Sequence, residues 1–93
     1  LTLDTTSFIV KRGDKEIQLS SKEYSLLECF LRHPNQILTK DQIIQHVWSY
    51  ESDILPNTIE VYIRNLRRKI DLPFKNKKPL LQTVRGFGYK ISD

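Results

Sequence analysis

Between Asn57 and Ile70 the apolar residues Ile59, Ile63, Leu66 and Ile70 fall at intervals of four, three and four, the recurrence of a helix with one side seated on a core. At about 100° per residue, Asn57, Val61, Arg64 and Arg68 line the opposite side, with Glu60, Asn65 and Arg67 beside them. The pattern predicts a helix over residues 57–71 with two chemically different faces. Upstream, Ser20 and Glu23 have the offset of a capping box, in which each side chain satisfies a backbone N–H of the other residue. Tyr24, Leu26, Leu27, Phe30 and Leu31 then make that helix apolar over more than one stripe, so it is expected at the centre of the core, ending at His33-Pro34. Thr39 and Gln42 repeat the capping signature, and Ile43, Ile44, Val47 and Trp48 supply the core side of a further helix.

The ends of the chain alternate instead. Leu1–Leu3, Phe8–Val10 and Ile17–Leu19 read as short strands, with Arg12-Gly13-Asp14 turning between the last two. Beyond the basic loop from Phe74 to Lys78, the runs Leu80–Val84 and Tyr89–Ile91 flank Arg85-Gly86-Phe87-Gly88 as a β-hairpin. The fold class expected is α+β: a winged helix-turn-helix with an N-terminal antiparallel sheet, a three-helix core and a C-terminal hairpin wing, one domain over residues 1–93.

Ninety-three residues with 39% apolar content support a single modest core and leave no room for a second domain. No apolar run approaches the roughly 20 residues that span a bilayer. The N-terminal residues lack the basic-then-apolar pattern of a secretory signal. A cytoplasmic protein without a membrane partner is expected. Cys29, the single cysteine, lies in an apolar run, which predicts a buried thiol and excludes an internal disulfide. The chain starts at Leu1 and has no methionine, as a fragment of a longer protein would.

Charge changes the picture more than composition does. Residues 57–93 carry nine cations against three acids, whereas residues 1–56 carry six against eight. A domain polarised in this way suits a polyanion bound through its C-terminal half. The outer face of the 57–71 helix fits the same partner: guanidinium forks meet guanine edges or phosphates, amides read adenine, and a small apolar group such as Val61 touches thymine methyls. A basic face that only solvates a helix would give Val61 no role, although single exposed apolar residues are common. Arg85, at the hairpin tip, is placed for a narrow minor groove, whose negative potential attracts arginine.

Other chemistries find less support. His33 and His46 have no partners at metal-ligand spacing, Asp41 sits where a carboxylate favours a helix N-terminus, and Glu23 is explained by its capping box. No enzyme activity, metal or cofactor is expected. Phe8, Phe30 and Trp48 lie where core packing claims them, leaving no stacking platform for single strands. The rival reading is a winged-helix protein-docking module without specific DNA binding, with the segment Trp48–Pro56, including Tyr50, Ile54 and Leu55, as its patch.

Four segments carry a resemblance: Leu19–Leu27, Leu38–Ile43 with Val47-Trp48, Thr58–Ile70, and Thr83-Val-Arg-Gly-Phe-Gly-Tyr89. Through them the chain resembles the OmpR/PhoB-type effector domain of bacterial two-component response regulators over essentially its whole length. The resemblance implies a transcription regulator in a phosphorelay, with a receiver domain upstream and two effector domains binding direct-repeat half-sites as a homodimer on double-stranded DNA. It implies DNA contacts from Arg64 and Arg67, base reading at Glu60 and Val61, phosphate contacts from Thr83 and Tyr89, and a minor-groove contact from Arg85. Asn57, Thr58, Tyr62, Asn65 and Arg68 complete the expected DNA-binding set. The loop with Trp48, Tyr50, Glu51 and Asp53 matches one through which some members touch RNA polymerase. Asn57 and Asn65 stand where many relatives carry arginine, and Tyr62 where histidine is frequent. Each missing phosphate contact is expected to lower the salt dependence of binding by up to about one unit of slope.

Overall fold

The computed structural model describes residues 1–48, 56–74 and 76–92. Among them the elements run β1 (Thr2–Asp4), β2 (Ile9–Arg12), β3 (Lys15–Ile17), α1 (Ser21–Leu31), α2 (Lys40–Val47), α3 (Pro56–Ile70), β4 (Leu81–Val84) and β5 (Gly88–Ile91). This is the winged helix-turn-helix expected from the sequence. No described helix is long and apolar enough to cross a membrane.

Both capping boxes form. Ser20 N donates to Glu23 Oε1 at 2.9 Å and Glu23 N to Ser20 Oγ at 3.3 Å; Thr39 N and Gln42 N make the equivalent pair at 2.9 and 3.2 Å. Each box satisfies two of the backbone donors that a helix N-terminus leaves open. Leu26, Leu27 and Phe30 of α1 are fully buried and meet Ile43 of α2 and the stripe Ile59, Ile63, Leu66 and Ile70 of α3 in one cluster. Burying each such side chain contributes about 1.5–3 kcal/mol. That seam fixes which side of α3 is left outside. The helix starts at Pro56, a residue suited to the first helical position, and ends at Ile70, one residue earlier at each end than the expected 57–71.

The N-terminal sheet has the order β1-β2-β3, with Val10 opposite both Leu3 and Ile17. Its last strand differs from the expected Ile17–Leu19. Lys15 pairs with Arg12 across Gly13-Asp14, so β3 begins earlier and overlaps the expected run only at Ile17. Phe8 also departs from expectation: it lies outside β2, at φ +60°, and is 67% exposed. The cause is local. Asp4 accepts the Thr6 and Ser7 amides on its carboxylate and the Phe8 amide on its carbonyl, folding residues 5–8 into a turn that leaves the Phe8 ring edge-on to Tyr24.

Arg12 is a correction of another kind. Expected in a turn, it is buried at the end of β2 and joins three parts of the molecule. Its guanidinium donates to the Ile70 carbonyl at the end of α3, to Asp71 Oδ1 at 3.0 Å and to the Lys78 carbonyl at 2.8 Å. It also lies over the Phe74 ring, 4.9 Å from the centroid. Asp71 in turn accepts the Leu80 and Leu81 amides. Sheet, helix and wing are thereby tied at one buried ion pair.

The wing is a two-stranded hairpin with Thr83 opposite Tyr89 and Val84 opposite Gly88. Leu38 and Tyr89 exchange backbone hydrogen bonds of 2.8 and 3.0 Å, which dock β5 against the start of α2. Gly88 permits that approach: a Cβ there, at φ +153°, would stand 2.1 Å from the Leu38 carbonyl oxygen.

Candidate nucleic-acid interface

Because Ile59, Ile63, Leu66 and Ile70 are at most 2% exposed, the helical period leaves Asn57, Val61, Arg64 and Arg68 in a solvent-facing row. All four are exposed, Val61 at 42%. Glu60 is exposed beside them, and Thr58, Tyr62, Asn65 and Arg67 are half-buried. Arg64, Arg68 and the exposed wing residue Arg85 have no acidic partner among the described residues. Guanidiniums without an acidic partner among the described residues attract anions and can fork onto phosphates or guanine edges.

Other expected site residues are engaged within the protein. Arg67 Nε donates to the Leu81 carbonyl at 3.2 Å, and its Nη2 donates to the Thr83 hydroxyl. This joins the C-terminal half of α3 to β4 and sets the wing beside the helix. Tyr89 is only 8% exposed, which leaves little of it for a partner. The Tyr62 ring meets Trp48 edge-on at 5.1 Å. Trp48 is itself 4% exposed at the C-terminus of α2, so its indole belongs to the core and not to a free loop surface. Tyr50, Glu51 and Asp53, with Ile54 and Leu55, lie outside the described residues.

At the wing tip, Gly86 takes φ +84° in the loop Arg85-Gly86-Phe87, and the Phe87 amide closes the turn on the Val84 carbonyl at 2.9 Å. Arg85 is exposed there and Phe87 is 70% exposed. Sequence reasoning missed Lys40. As the first residue of α2 it reaches across to α3, where its Nζ lies 2.7 Å from Glu60 Oε1. That hydrogen bond holds the ammonium above its ordinary value of 10.5. The Thr39 capping box marks where α2 starts, but nothing local in the sequence announces a partner twenty residues on.

The two histidines and the cysteine have structural surroundings. His33 donates from Nδ1 to the Cys29 carbonyl at 2.8 Å, capping the end of α1, and its ring lies 5.3 Å from that of His46. Burial pushes the Cys29 thiol above its usual range. Among the described residues, no three His, Cys, Asp or Glu side chains come together as a metal site would require.

Residues 14–91 match the family described as "Transcriptional regulatory protein, C terminal". Over 82 residues the chain is 45% identical to the uncharacterized transcriptional regulatory protein YkoG of Bacillus subtilis strain 168, covering 88% of this chain and 35% of that protein. It is 40% identical over 91 residues to the response regulator ArlR of Staphylococcus aureus, covering 98% of this chain and 41% of ArlR. Thus it spans less than half the length of either relative. Its structure is similar to that of the response regulator AdeR DNA-binding domain in complex with an intercistronic region. The TM-score is 0.83 at 25% identity, covering 99% of this chain and 93% of that one.

Proposed function

The chain belongs to the family of transcriptional regulatory protein C-terminal domains, and on that premise we propose that it regulates transcription by binding double-stranded DNA of defined sequence. The observation that carries this reading is the row Asn57, Val61, Arg64 and Arg68, exposed directly opposite a fully buried stripe, with both guanidiniums free of acidic partners among the described residues. Among the described residues nothing in the fold requires cations there. A polyanion does.

In this reading α3 enters the major groove, Arg64 and Arg68 meet phosphates or base edges, and Glu60, Val61 and Asn65 read bases. Arg85 enters the adjacent minor groove. Arg67 and Thr83 set the angle between helix and wing through their mutual hydrogen bond and present what remains of their polar groups to the backbone. Tyr89 serves mainly as the buried hinge on which the wing is mounted. The similarity to ArlR extends the proposal to the longer protein: a receiver domain upstream, a two-component phosphorelay, paired effector domains on direct-repeat half-sites, contact with RNA polymerase, and action in the cytoplasm. Family membership gives a regulator and not an enzyme.

Backbone amide NMR during titration with a short mixed-sequence duplex at low salt tests the binding mode. Shifts concentrated over residues 57–68 and 83–89 are expected. If those amides stay still at concentrations where basic domains bind DNA, the reading falls and the protein is a docking module.

A further inference from the structure

We propose that Lys40 is a specificity-positioning residue, which holds the Glu60 carboxylate on the recognition face so that it accepts a hydrogen bond from a cytosine N4 amino group in the major groove. The proposal rests on the reading of α3 as the DNA-recognition helix.

Glu60 is the one acid of α3, on a helix that carries Arg64, Arg67, Arg68 and Lys69. A carboxylate on a surface that meets phosphates is repelled by them, so its presence requires a reason. The helix dipole does not supply one, because Glu60 lies beyond the first turn of a helix that starts at Pro56, and the dipole effect fades within that turn. Local pairing does not supply one either. Arg64 stands at the i,i+4 position where helical ion pairs form, yet Glu60 pairs with Lys40 on α2 at 2.7 Å.

This cross-helix pair does three things. It compensates the carboxylate's charge where DNA would approach. It restrains a long side chain that is 58% exposed. It also occupies only part of the acceptor capacity, since an ionised carboxylate has two oxygens and no donor. Among base edges in the major groove, the amino groups of cytosine and adenine are the donors, and carboxylates pair with cytosine N4. The anchor itself is firm: Lys40 begins a helix capped by Thr39, and Leu38, two residues before Lys40, is hydrogen-bonded in both directions to Tyr89 of the wing. An exposed ion pair contributes little to stability, so its loss should register in base preference and not in folding.

The test is selection from a randomised duplex pool with the 93-residue chain and its Lys40→Met, Lys40→Arg and Glu60→Gln variants, together with the Lys40→Met/Glu60→Gln double variant. Thermal melting of each serves as the folding control. The unaltered chain is expected to prefer cytosine at one base pair. Lys40→Met and Glu60→Gln should each flatten that preference about five- to tenfold while leaving other positions unchanged. Lys40→Arg should keep it, and the double variant should flatten it no further than Glu60→Gln alone. A uniform loss of affinity in Lys40→Met with the preference intact would make Lys40 a plain phosphate contact and overturn the proposal. An unmoved preference in Glu60→Gln overturns it as well. If the unaltered chain enriches no sequence, the DNA-binding reading itself fails, and this arm separates the two failures.

Discussion

Arg12 is 5% exposed and surrounded by the Ile70 and Lys78 carbonyls, the Asp71 carboxylate and the Phe74 ring. Arg64, carried on α3 like the Ile70 carbonyl that Arg12 grips, is exposed and has no acidic partner among the described residues. The same functional group has its donors consumed at one site and presented to solvent at the other. Lys69 lies between them: half-buried, it reaches from α3 to the Glu23 carboxylate at the start of α1. Cations alone therefore do not mark a binding surface in this domain. On the proposed reading, what marks it is a cation with no acidic partner among the described residues.

If that distinction holds, Arg12→Met should damage the fold most. It leaves Asp71 as a buried carboxylate without its counter-ion, a loss of about 3–5 kcal/mol, visible as a lowered urea midpoint. Asp71→Asn in the same chain should recover part of the loss, because no unpaired charge then remains. A harmless Arg12→Met would break the comparison at its structural end. Arg64→Ala should behave in the opposite way: stability within about 0.5 kcal/mol of the parent, with duplex affinity weaker by about 1–3 kcal/mol if a base contact is lost. Urea denaturation and a binding isotherm on the same preparation separate these outcomes. Loss of stability without loss of affinity would assign Arg64 to the fold.

The two ends of this comparison were not equally legible in the sequence. The α3 stripe and both capping boxes rest on spacings within a turn or two, and the buried stripe, exposed row and cap hydrogen bonds formed where the spacings put them. In the sequence Arg12 reads as a turn residue, because its partners lie 58 to 66 residues away and no local pattern encodes a contact of that range. Lys40 escaped for the same reason. The start of the strand that ends at Ile17 is not legible from alternation, because Lys15 and Glu16 are both exposed and the turn at Gly13-Asp14 alone sets the register. Apolar character drew Phe8 toward the core, but the amide-binding Asp4 carboxylate bends the chain there and keeps the ring near the surface. Local chemistry thus revealed the two-faced helix α3, while the contacts that fix its place in the fold are tertiary.

The intermediate case gives the smallest effect. Burial pushes the Glu23 carboxyl up, but the Lys69 ammonium and the Ser20 amide and hydroxyl outweigh it, and the net shift is downward from the ordinary 4.5. A carboxyl with a depressed native pKa contributes stability that is fully present above the unfolded value and lost as pH falls through the native one. The parent domain should therefore lose stability on acidification from about pH 4.5 downward. Glu23→Gln keeps an acceptor for the Ser20 amide but removes the charge facing Lys69. It should be less stable than the parent at neutral pH by no more than about 1 kcal/mol, since Lys69 is partly solvated, and the gap should close as the parent carboxyl becomes protonated. Urea midpoints at pH 7 and at a pH below 4 check this directly. A gap that persists in acid would mean that the Lys69–Glu23 charge pair does not contribute, and that Lys69 is as available to a polyanion as Arg64.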